Sequence, residues 1–80
     1  MTVCDAVARR VEALLVKMNM SLYRLEQNSG IQHGSMECII KRRNKTVTLS
    51  TVMLLARGFG ITVTQFLDDD LFNGEELEIE

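Results

Sequence analysis

The sequence predicts an all-α protein, and three observations carry that prediction. The 80 residues contain no proline and no tryptophan, 46% are hydrophobic and 5% aromatic, which suits helices packed through Leu, Val, Ile and Met better than a strand-rich sandwich. Apolar residues recur at spacings of three and four along successive stretches. Residues that start and stop helices stand between those stretches. The length suits one domain with a limited core.

Val3, Val7, Val11, Leu14, Leu15 and Met18 lie along one helical face, which predicts a first helix over residues 3–18. The stretch "NMS" breaks the pattern, and Ser21 is a candidate cap for a second helix with Leu22 and Leu25 inward. That helix is short, because "NSG" follows and Gly30 suits the left-handed position after a helix end. A third helix begins near Gln32 or His33, buries Met36, Ile39 and Ile40, and runs into "KRRNK", so that it is expected around residues 32–43. Thr48 caps a fourth helix carrying Leu49, Val52, Met53, Leu55, Ala56 and Phe59 and stopped by Gly60. Thr62 and Gln65 form a T-x-x-Q capping box for a last turn, which returns Val63, Phe66 and Leu67 to the core.

Charge is unevenly spread. The formal total is −2, yet residues 1–67 hold all nine cations against four acids, while residues 68–80 hold seven acids and no cation. The expected organisation is therefore a basic domain over 1–67 and an acidic tail over 68–80. Such a tail is commonly solvated and disordered. Leu71, Phe72, Leu77 and Ile79 make it equally a candidate contact for the bundle, a second subunit or a protein partner, and "ELEIE" alternates as a strand does. Cys4 and Cys38 form no CxxC pair, no signal-peptide pattern opens the chain, and no apolar run approaches the roughly 18 residues of a membrane span. A cytoplasmic protein outside the membrane is expected.

Two short helices joined by a tight turn, the second with polar residues outward, describe a helix-turn-helix. In that geometry the second helix enters the major groove and its amino-terminal end meets base edges. His33, Gly34, Glu37 and Cys38 lie opposite Met36, Ile39 and Ile40 and are the candidate readers. His33 suits guanine N7 or O6 as a donor, and Glu37 suits cytosine N4 as an acceptor. Lys41, Arg42, Arg43, Asn44 and Lys45 follow, where phosphate contacts give affinity through counterion release without specifying sequence.

The stretch "SLYRLEQNSGIQHGSMECIIKRRNKTVTLSTVMLLARGFGITVTQFL" resembles the Cro and phage-repressor, or XRE-type, helix-turn-helix domain of bacterial transcription regulators. The likeness spans roughly residues 3–67 and rests on an ordered pattern. Ser and Leu open the second helix, "SGI" makes the turn, an apolar trio follows, and "TL" leads into a helix ending in "GFGI". It implies a lambda-repressor-like five-helix bundle that binds operator DNA as a homodimer, with no cofactor. It also implies base contacts from Gln32, His33, Gly34 and Cys38, and phosphate contacts from Ser21 and Lys41. Two departures stand out. Leu22 occupies a position where a Gln often braces the reading helix, and Glu26 replaces a small residue, so its side chain must bend outward or the helix crossing must loosen.

Other chemistries fit less well. Cys4, His33 and Cys38 are the only soft ligands and lack the paired spacing of a zinc site, so no metal is expected. A lone histidine on a polar edge gives no nucleophile–base pair in a cleft, so an enzyme is not expected either. The leading reading is a DNA-binding regulator that represses by occupying an operator. The alternative is an antitoxin-like or other protein-interaction module on the same fold, which would favour apolar outward residues where polar or small ones stand.

Overall fold

A computed structural model describes residues 1–79. Five α-helices follow one another: α1 Val3–Lys17, α2 Leu22–Ser29, α3 His33–Ile40, α4 Leu49–Phe59 and α5 Val63–Leu67, with a 3₁₀ turn at Asp70–Phe72. No strand occurs among the described residues; the single sheet-like feature is a parallel bridge between Thr2 and Glu78. The architecture is the expected all-α bundle.

Helix starts follow from hydroxyl caps. Ser21, Thr48 and Thr62 accept from the backbone amides of Arg24, Thr51 and Gln65, and Gln65 returns its side chain to the Thr62 amide at 2.9 Å. Thr2 and Asp5 form a second capping box at α1. Asp5 is held below its ordinary carboxylate pKa, first by the Thr2 amide and further by Arg42.

The first four helices share a left-handed closing residue. Gly30 and Gly60 supply it after α2 and α4, with φ of 77° and 74°. Asn19 does so after α1 and Arg42 after α3, with φ of 52° and 57°. At α3 the Arg42 amide donates to the Ile39 carbonyl and the Arg43 amide to the Cys38 carbonyl, which is the Schellman pattern. Helix α3 is thus shorter than the expected span of 32–43, ending at Ile40, and Lys41, Arg42 and Arg43 lie in the turn beyond it.

The core joins Val7, Val11 and Leu14 of α1 to Leu25, Met36, Ile39, Val52, Leu55, Phe59 and Phe66. Helices α2 and α4 approach closely because Gly58 presents no side chain to Leu25 and Ser29, and Asn28 donates its amide to the Gly58 carbonyl at 3.2 Å. That rotation of α4 corrects the expected inward set: Leu49 and Met53 are 64% and 44% exposed, since the face containing Val52, Leu55, Ala56 and Phe59 is the one that meets the bundle. Met18, beyond the end of α1, is also exposed.

Arg10 ties α1 to the end of α5. Its guanidinium donates to the Phe66 and Gln65 carbonyls at 2.8 and 2.9 Å and pairs with Asp69 at 3.2 Å. Past that clasp the acidic segment folds back on its own chain. Phe72 packs on the core with its ring 6.2 Å from that of Phe66. The Glu78 amide donates to the Met1 carbonyl and the Glu78 carbonyl accepts from the Val3 amide. Glu80 lies outside the described residues, and the strand-like alternation of "ELEIE" amounts to this bridge alone among them.

Candidate nucleic-acid interface

Helix α3 is positioned by its apolar side. Met36 is fully buried, Ile39 nearly so, and Ile40 packs at the core margin, which turns the first turn of the helix to solvent. Gln32, His33, Gly34 and Ser35 are all exposed there. Gln32 is the cap residue in extended conformation but makes no side-chain cap hydrogen bond. The leading amides of α3 therefore lack the side-chain acceptor found at each of the other four helices. A helix start of this kind suits an anionic oxygen.

Gly34 has nothing within 4 Å of where a Cβ would stand, so it leaves this surface flat and open. Glu37 and Cys38 are half-buried on the flank. Cys38 lines a small cavity with Cys4 and Val7, which sets it at the seam with α1 and away from the exposed first turn. Burial pushes the Cys4 thiol pKa up.

The charged groups form a continuous chain of partners. His33 Nδ1 lies 2.9 Å from a Glu26 carboxylate oxygen, and His33 Nε2 lies 3.5 Å from Glu37. Glu37 also meets Lys41 at 3.4 Å and Arg43 at 3.8 Å. The hydrogen bond His33 donates to Glu26, with the charges of Glu26 and Glu37, raises the His33 pKa above the ordinary imidazole value. Glu26, expected either to bend outward or to loosen the helix crossing, reaches across the turn to His33 of α3 with its side chain only 13% exposed.

The expected phosphate-contact set divides in two. Lys41, Arg43, Asn44 and Lys45 are exposed along the turn after α3. Arg42 points back to α1, where it pairs with Glu12 at 3.1 Å and Asp5 at 3.5 Å and donates to the Ile40 carbonyl. Ser21 is exposed, with its hydroxyl engaged as the α2 cap.

One part of the surface was not singled out from the sequence. Ser35 and Gln32 share an open groove with Asn44, Thr46, Thr48 and Thr51, floored by apolar residues of α3 and α4. Only a recurrence of hydroxyl residues between helices hinted at it, and the same recurrence marks helix caps. Among the described residues no group of three or more His, Cys, Asp or Glu could hold a metal ion, and no helix is long and apolar enough to cross a membrane.

Curated proteins and solved structures yield no match. The family model described as the Cro/C1-type HTH DNA-binding domain matches residues 10–70, from the middle of α1 through α5 to the start of the 3₁₀ turn. With α2, the turn and all of α3 to α5 inside that match, which covers most of the chain, the chain belongs to the Cro/C1-type helix-turn-helix DNA-binding family.

Proposed function

We propose that this protein is a sequence-specific regulator that represses transcription by occupying an operator, with the start of α3 in the major groove. The observation that carries the reading is the open first turn of α3, Gln32 to Ser35, with an uncapped helix start on one side and Lys41, Arg43 and Lys45 on the other. Base edges fall to Gln32, His33 and Gly34, with Glu37 and Cys38 on the flank. Phosphates fall to Ser21, Lys41, Arg43, Asn44 and Lys45, and to Arg42 if it leaves its α1 partners.

The proposed assembly is a homodimer in the cytoplasm, placing two α3 helices in successive turns of one duplex face. The acidic segment after residue 67 serves there as part of the protein contact, its outer side including Ile79, which is 81% exposed. The test is selection from a random duplex library followed by affinity across salt concentrations. An enriched site with two half-sites about one helical turn apart, and a steep salt slope, supports the reading. Absence of any enriched sequence favours the protein-interaction alternative.

A further inference from the structure

The imidazole at the exposed start of α3 is held by a residue of another helix. His33 is 73% exposed in its side chain, while that of Glu26 on α2 is only 13% exposed, so the carboxylate is the fixed member and the ring the presented one. With Nδ1 held at 2.9 Å by Glu26, the nitrogen left for a DNA base is Nε2. Its nearest protein partner, Glu37, is 3.5 Å away and is shared with Lys41 and Arg43.

A carboxylate at Nδ1 requires a proton on that nitrogen in either charge state of the ring. The state of Nε2 then decides what it can bind. A charged ring donates from Nε2 and suits guanine N7 or O6; a neutral ring presents a lone pair and suits the amino group of adenine N6 or cytosine N4. We propose that Glu26 is a specificity-determining positioning residue: by holding Nδ1 it leaves Nε2 as the reader, so that one operator base pair is read as a guanine acceptor with the ring charged and as an amino donor with it neutral.

This inference rests on the operator-binding reading above. The charged groups facing the ring are Glu26 from α2 and Glu37 and Lys41 from α3; the two carboxylates favour the cation and Lys41 opposes it. Glu26 thereby extends the guanine-reading form toward higher pH. Removing its charge contracts that range.

The experiment is duplex selection with the full chain at about pH 5.5 and about pH 9, on either side of an ordinary imidazole pKa, for the natural protein, Glu26→Gln and His33→Ala. Imidazole titration of the free natural protein and of Glu26→Gln by NMR accompanies it, with the amide spectrum as the check that each variant folds. The expected result is one base position whose preference passes from guanine to adenine or cytosine with rising pH, by about tenfold, the size expected of one charge-assisted hydrogen bond. Glu26→Gln moves both that crossover and the His33 titration to lower pH, and His33→Ala abolishes the preference. An enriched operator whose every position is read alike at both pH values, or a crossover unmoved in Glu26→Gln, overturns the proposal while leaving operator binding intact. No enrichment at either pH overturns both.

Discussion

Replacing Gly58 with alanine places a methyl group where α4 packs tightly on α2. The new Cβ would stand 2.8 Å from Leu25 Cδ1, 2.9 Å from Ser29 Cβ and 3.3 Å from Ser29 Cα. Leu25 is fully buried, so its methyl moves only against its core neighbours, while the Ser29 atoms move only with the α2 backbone. Helix α2 must retreat by about half an ångström to restore ordinary van der Waals separation. That shift strains the Asn28 hydrogen bond to the Gly58 carbonyl. Overpacking of this sort costs about 1–3 kcal/mol, and the gain in helix propensity from Gly to Ala offsets about 1 kcal/mol. A net loss of about 1 kcal/mol, the middle of a range of about 0–2, is expected, seen as a fall in Tm of roughly 4–8 °C. Chemical and thermal unfolding of Gly58→Ala beside Gly34→Ala is the assay. Gly34 has open space at its Cβ position, so its variant should match or exceed the natural protein in stability. Equal stability of the two variants would refute the argument that Gly58 sets the α2–α4 distance.

Other consequences follow from the same geometry. Arg10→Ala leaves the Phe66 and Gln65 carbonyls without their donor, so denaturant unfolding should show a loss of about 2–3 kcal/mol. At Arg42, alanine keeps the left-handed strain and loses the α1 pairs, whereas glycine relieves the strain. Equilibrium unfolding should therefore find Arg42→Ala about 1 kcal/mol less stable than Arg42→Gly. In DNA titrations, Lys41→Ala or Arg43→Ala should each reduce the salt slope by about one, while Arg42→Ala, already paired with Asp5 and Glu12, should reduce it less. Asp5 has a lowered pKa, so its contribution to stability is full above the ordinary value of 3.8 and is lost as pH falls through its lower folded value. Acid unfolding of Asp5→Asn should lack that component.

Much of the fold was legible because it depends on local chemistry. Ser21, Thr48 and Thr62 announce helix starts whatever they pack against, and Gly30 and Gly60 announce left-handed ends. Arg42 announced nothing, since its backbone conformation is sustained by ion pairs from α1, 30 or more residues away in sequence. Leu49 and Met53 matched the spacing of a buried face equally well. Which stripe of α4 turns inward depends on where Gly58 lets α2 approach, and that contact is nonlocal.

The interface divides along the same line. The exposure of His33 and Gly34 follows from the Met36, Ile39 and Ile40 stripe and was readable from spacing, which overstated that of the half-buried Glu37 and Cys38, while Gln32 was reached through the family resemblance. The hold of Glu26 on His33 spans a turn between two helices, and seven residues of separation carry no periodic signal. The acidic segment was a choice between solvent, bundle and partner. Phe72 against Phe66 and the Thr2–Glu78 bridge place it on its own bundle.

The most direct test of the DNA-reading account is an NMR titration of the isotope-labelled full chain with a duplex carrying its selected sequence. The account predicts the largest shifts at Gln32 to Ser35 and through Lys41 to Thr48, with little change on the outer side of α1 at Arg9, Ala13 and Val16. Largest shifts at Leu49 and Met53 or in the acidic segment, with the first turn of α3 unmoved, would contradict it.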